Sequence, residues 1–130
     1  MKTKKYLLTF LYVYLIAGFM SNLPFVNGYL LHRIDGDLFK YSNADASYTN
    51  HDTFSFKSPH ISLKSVDRYI AEFHPEKKNQ QVYRLYRINP LCFWRWSHYL
   101  ITSRDFDYKS WKEIEPNRVP YNPENRYQDF

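Results

Sequence analysis

The chain has 130 residues, room for one small domain and an additional segment, which excludes most multidomain enzymes. Hydrophobic residues at 44% and charged residues at 24% exclude wholesale disorder. The formal charge of +5 raises an anionic partner until the charges are located, and 20% aromatic residues with three glycines and one cysteine are the unusual figures.

In chain order, Lys2, Lys4 and Lys5 precede an uncharged stretch over residues 6–31. A positive cluster followed by an apolar run is an export or membrane signal. Residues 6–20 are dense in Leu, Tyr, Phe, Val and Ile, and residues 21–28 are more polar, the order of a secretory signal peptide. Val26 and Gly28 would be the small residues before a cut ahead of Tyr29. The rival reading is an uncleaved anchor, because a spanning helix needs about 20 apolar residues and residues 6–26 just supply them. Both readings leave the lysines in the cytoplasm and place the chain after Tyr29 outside it. Without Lys2, Lys4 and Lys5 the 18 basic residues become 15 against 13 acidic ones, a balance of +2. The basic excess therefore marks topology and argues against nucleic-acid binding.

The division expected is residues 1–28 as signal peptide or membrane anchor, 29–115 as a small α+β extracytoplasmic domain, and 116–130 as a Pro-rich extended tail. The domain is expected to hold about four strands and two to three short helices, behind an N-terminal hydrophobic helix. Residues 29–34 and 37–41 around Asp35-Gly36 read as a β-hairpin with a type I′ turn. Residues 43–52 read as a polar connection, and residues 53–57, with Phe54 and Phe56 on one side, as a half-buried strand. Val66, Tyr69, Ile70 and Phe73 fall on one helical face, with Ser65 as cap and Pro75 as stop. Residues 76–81 read as a solvated loop and residues 82–88 as a strand. Asn89-Pro90 predicts the start of a helix reaching Ile101. Ser110 and Glu113 predict a capping box ahead of a short helix ended by Pro116.

Most catalytic chemistries lack their residues. After Gly28 only Gly36 remains, so phosphate-cradling glycine loops are absent. No Gly-x-Ser-x-Gly elbow is present, and Cys92, the lone cysteine, reads as a small buried hydrophobe without a disulfide partner. His32, His51, His60, His74 and His98 form no zinc-ligand spacing, so no metal and no cofactor are expected. Asn43, Asp45 and Ser47 imitate the start of a calcium loop, but Tyr48 stands where glycine is needed and Phe54 where a bidentate Glu is needed. The carboxylate pairs Glu113 with Glu115 and Asp105 with Asp107 carry no sign of converging in a cleft.

The distinctive segment is 83–99, where arginines alternate with Tyr, Phe and Trp. It reads in three ways: a buried aromatic face with snorkelling arginines, a partner-binding patch, or a helix lying in the bilayer interface. The candidate binding residues are Arg84, Arg87, Trp94, Arg95, Trp96 and Tyr99. The function expected is that of an exported or membrane-anchored envelope protein, non-enzymatic, contacting another envelope protein or the membrane surface through this patch. The alternative is a small extracytoplasmic hydrolase acting on a saccharide or cell-wall polymer.

Overall fold

The computed structural model describes residues 2–52 and 61–130. The class is α+β: among the described residues there are six α-helices, more than the two to three expected, and a three-stranded antiparallel sheet, not about four strands, in the order β2-β1-β3. Helix α1 (Lys2–Ser21) and helix α2 (Pro24–Ile34) meet at a bend of 93°. Strand β1 (Lys40–Asn43) pairs with β2 (Thr49–His51), Tyr41 opposite Asn50, and with β3 (Val82–Arg84), Ser42 opposite Tyr83. Helices α3 (Ile61–Phe73) and α4 (Lys77–Gln80) lie between β2 and β3 in the chain, and α5 (Trp96–Ile101) and α6 (Trp111–Ile114) follow β3.

The hairpin expected at residues 29–41 is not formed. Pro24 occupies the first turn of α2, where a missing N–H costs nothing. The buried residues Asn27, Leu31 and Asp35 then recur every four positions, one stripe of a helix facing the body. The Asp35 N–H caps the helix by donating to the Leu31 carbonyl, and Gly36 has no positive φ, so the Asp-Gly pair ends a helix and turns no strands. Helix α2 also runs through Gly28 and Tyr29 without a break.

The actual hairpin is β1-β2, within what reads from sequence as a polar connection. Its turn is closed by Asp45, whose Oδ1 accepts from the Ser47 N–H at 3.0 Å and the Ser47 hydroxyl at 2.6 Å. Ala46 takes φ 55 in the left-handed region. The strand expected at residues 53–57 lies outside the described residues. Helix α3 starts before Ser65, which is therefore not its cap, and stops at His74, where φ 45 ends the helical run ahead of Pro75. Residues expected as a loop before β3 include the turn of helix α4.

Strand β3 is shorter than expected because Arg84 folds back on its own chain, donating to the Tyr86 carbonyl at 2.7 Å and the Phe106 carbonyl at 3.0 Å. The helix expected from Asn89-Pro90 begins later. Asn89 Oδ1 instead accepts from the Leu91 N–H at 3.1 Å, an Asx turn, and a 3₁₀ turn over Phe93–Arg95 leads into α5. The capping box of Ser110 and Glu113 forms as expected at α6.

The core is built mostly of aromatic side chains. Tyr41, Tyr48, Tyr69, Tyr86, Tyr99 and Tyr127 are buried together with Phe39, Phe106, Leu31 and Val82. Aromatic side chains bury the most area per residue, so a small domain gains a large apolar payload from few positions. The Pro-rich segment 116–130 contributes Tyr127 to this core, and Gln128 donates to the Ala46 carbonyl at 2.8 Å inside it.

Candidate functional site

Helices α1 and α2 are bound to the aromatic-arginine segment by two asparagine side chains that bridge the two, each also donating to a carbonyl of α1. Asn22 Nδ2 donates to the Phe93 carbonyl at 2.6 Å and its Oδ1 accepts from the Ser97 N–H at 2.7 Å. Asn27 Nδ2 donates to the Trp94 carbonyl at 2.7 Å and its Oδ1 accepts from the Ser97 hydroxyl at 3.0 Å. These asparagines hold the carbonyls of residues 93 and 94 and so place the start of α5. Each such bond contributes about 1 kcal/mol, and removing one partner of a buried pair costs more.

Asp35 completes the junction. Its carboxylate accepts from Arg95 Nε at 2.8 Å, Arg95 Nη2 at 2.5 Å and the Trp94 indole N–H at 2.8 Å. The ion pair is sheltered, with side-chain exposures of 16% for Arg95 and 4% for Asp35. The bonds to Asp35 push the Arg95 guanidinium above its ordinary value, against the cost of burial, so the charge is retained. Trp96 closes the other side: its indole ring lies on Gly18 of α1, with Tyr14 edge-on at 5.7 Å, and its N–H donates to the Pro90 carbonyl at 2.8 Å. A β-carbon on Gly18 would stand 2.5 Å from the ring.

Of the six residues singled out from sequence, Trp94, Arg95, Trp96 and Tyr99 therefore come together at this junction, and Tyr99 is buried. Arg84 and Arg87 lie elsewhere, at Tyr108, with their guanidiniums 5.6 and 5.3 Å from its ring centroid. Arg87 is the exposed member of the set. Sequence reading missed Asn22, Asn27 and Asp35. The signal available for Asn27 and Asp35 was their helical spacing around Leu31; nothing local marks Asn22.

A second cluster lies behind the junction. The Tyr41 and Tyr86 hydroxyls are 2.5 Å apart, both reach His98 Nε2, at 3.1 and 3.3 Å, and Tyr86 continues to Ser103 Oγ at 2.6 Å. His98 has no exposed surface and stacks on Phe39 with centroids 3.7 Å apart. Burial pulls the imidazole down to about 3 and pushes the Tyr86 phenol up to about 12, with Tyr41 raised still further. All three are neutral at physiological pH and enclosed, so the cluster pairs the two phenol hydroxyls and His98 Nε2 inside an aromatic core, leaving His98 Nδ1 buried without a partner, and presents no base or nucleophile to a substrate.

The carboxylates do other work. Glu113 belongs to its capping box, Asp105 faces Arg104 at 3.8 Å, and Asp107 accepts from Gln81 at 3.0 Å. A cleft of about 460 Å³ is lined by Glu72, Phe73, Glu124, Arg126 and Tyr127. There the hydrogen bond from Arg126 holds the Glu72 carboxyl below its ordinary range, opposite to what a general acid needs. Asp45, the centre of the calcium-loop imitation, spends its second oxygen on the Asn79 amide at 2.7 Å. Among the described residues no three His, Cys, Asp or Glu side chains form a metal-binding group.

No single helix among the described residues is long and apolar enough to cross a membrane; α1 and α2 together are, as a bent pair. No family model, no curated protein and no solved structure matches the chain.

Proposed function

We propose that the protein is an exported, membrane-anchored envelope protein whose domain stands outside the cytoplasm and works as a non-enzymatic interaction module. The observation that carries this reading is the surface of α1. Leu7, Phe10, Tyr12, Val13, Ile16 and Phe19 are each 60 to 70% exposed, on all sides of the helix except the line of Tyr14, Gly18 and Ser21 that meets the body. Such an apolar surface is costly in water and suited to lipid. Its 20 residues span about 30 Å at 1.5 Å per residue but include Lys2, Lys4 and Lys5, so the proposed anchor is α1 embedded in lipid together with α2 as a bent pair, with the lysine ammonium groups extended to the headgroups.

The junction then has a mechanical role: it fixes the domain rigidly to its anchor. Trp94, Arg95, Trp96 and Tyr99 serve that attachment, and exposed groups such as Arg87 remain for a partner, expected to be another envelope protein. Membrane fractionation of the full chain tests the anchor. Retention in the pellet through alkaline carbonate and release by detergent supports it; release by carbonate alone rejects it. Crosslinking in the same membranes, with capture lost in an Arg87→Glu variant, tests the interaction surface.

A further inference from the structure

The charges of this protein are segregated along the chain in a way that its fold converts into a surface. Residues 2–34 and 82–104 contain no Asp or Glu; all 13 carboxylates lie in the remainder. These two carboxylate-free segments are the ones that pack together, α1 and α2 against the 3₁₀ turn at Phe93–Arg95. In the second segment three large apolar side chains point outward: Leu91 is 76% exposed, Leu100 65% and Ile88 40%. Leu100 lies one helical turn after Trp96 on α5, hence on the face that meets α1. Arg33 and Arg87, one from each of these segments, are exposed as well, as is Arg104, which faces Asp105 at 3.8 Å.

The height of this patch along α1 follows from Tyr14. Its hydroxyl donates to the Leu91 carbonyl at 3.0 Å, so Leu91 sits level with residue 14 and not with the end of the helix at Ser21. Seven residues at 1.5 Å each place it about 10 Å down the helix. The headgroup layer of a bilayer is roughly 5 to 8 Å thick on each side. A domain attached to a lipid-embedded α1 in this way carries the residue 88–93 loop below the headgroups.

From Asn89, whose N–H donates to the Tyr99 hydroxyl, to Phe93 the backbone of that loop is already closed for such a setting. Pro90 has no N–H, and its carbonyl accepts from the Trp96 indole. The Leu91, Cys92 and Phe93 N–H groups donate to Asn89 Oδ1, the Asn89 carbonyl and the Leu91 carbonyl. The Cys92 carbonyl accepts from the Arg95 N–H, and the Phe93 carbonyl from Asn22. Irregular backbone at membrane depth requires internal pairing of this kind, whereas a loop in water does not.

We infer that the loop around Leu91, together with Leu100, is a lipid-binding surface that inserts into the headgroup and upper acyl region of an anionic bilayer, seating the domain on the membrane. This rests on the reading of α1 as the anchor and adds the orientation of the domain to it.

The test uses the full chain with Cys92→Ser, reconstituted in phosphatidylcholine–phosphatidylglycerol vesicles, with an environment-sensitive fluorophore on a single introduced cysteine. Leu91→Cys and Leu100→Cys probe the surface, Phe10→Cys the anchor and Glu124→Cys the far side of the domain. Near-ultraviolet circular dichroism checks that each variant keeps its fold. Nitroxide lipids labelled near the headgroup are expected to quench the Leu91 and Leu100 probes several-fold more than the Glu124 probe, with a blue-shifted emission. If the Phe10 probe is quenched by acyl-chain nitroxides while the Leu91 and Leu100 probes behave like Glu124, the seating is wrong and the anchor stands. If the Phe10 probe is not quenched either, both are overturned.

Discussion

Asp35 and Arg95, 60 residues apart in sequence, form a two-pronged ion pair in which each carboxylate oxygen accepts from a different guanidinium nitrogen, while the Trp94 indole shares Oδ2. The pair ties the C-terminal end of α2 to the turn ahead of α5, and so links the two N-terminal helices to the sheet domain. An arrangement this sheltered is worth little as a replacement for apolar packing but is costly to break on one side only.

The Asp35→Ala variant leaves the Arg95 charge and the Trp94 N–H without their acceptor. The expected loss is about 3 kcal/mol of stability, and the double variant Asp35→Ala, Arg95→Met should recover a substantial part of it. Urea unfolding in detergent micelles measures both. Equal stability of wild type and Asp35→Ala would remove the pair from the account of the junction.

Gly18 permits the closest approach between α1 and the body. Replacing it by Leu puts a side chain into space filled by the Trp96 ring, so either the ring moves or α1 separates. Overpacking of this kind costs about 1 to 3 kcal/mol. Tryptophan emission should shift to the red as Trp96 leaves its seat, while a Phe19→Leu change, on the exposed face one position away, should leave the spectrum unaltered.

His98 makes stability depend on pH. Its pKa falls from 6.5 in the unfolded chain to about 3 in the fold, because burial disfavours the imidazolium. The neighbours packed on it, Phe39, Tyr41 and Tyr86, are uncharged, and the more distant Asp35 only partly offsets the burial. Between these values the unfolded state binds the extra proton, so stability is complete above about pH 6.5 and declines as pH falls toward 3, by on the order of 4 kcal/mol. Unfolding midpoints measured from pH 7.5 to pH 4 should show this slope. A His98→Gln variant, less stable at pH 7.5, should show a flatter one.

Local patterns carried the reading where the physics is local. Of the α3 stripe, Val66, Tyr69 and Ile70 pack on the core while Phe73 is 56% exposed, and the Ser110 capping box closes, because helical periodicity and a three-residue spacing need nothing from the rest of the chain. Asp35-Gly36 failed as a hairpin because the same residues suit a helix end, and Asn27 and Leu31 found partners in residues 93–97 that no window around them contains. The same distance hid the site. Trp94, Arg95 and Trp96 stand out as a surface patch only until Asp35, Asn22, Asn27 and Gly18 cover them.

By itself the amino-acid sequence determined the aromatic excess, the α+β class, the basic cluster ahead of an apolar run and the absence of carboxylates from two segments. These are properties of residue type and short spacing. Only the tertiary structure decided that the two segments meet, which aromatic rings are turned inward at the junction, and which leucines are left outside. Those outcomes depend on pairing polar atoms across 60 or more residues, where a buried amide or carboxylate must find a partner wherever the fold provides one.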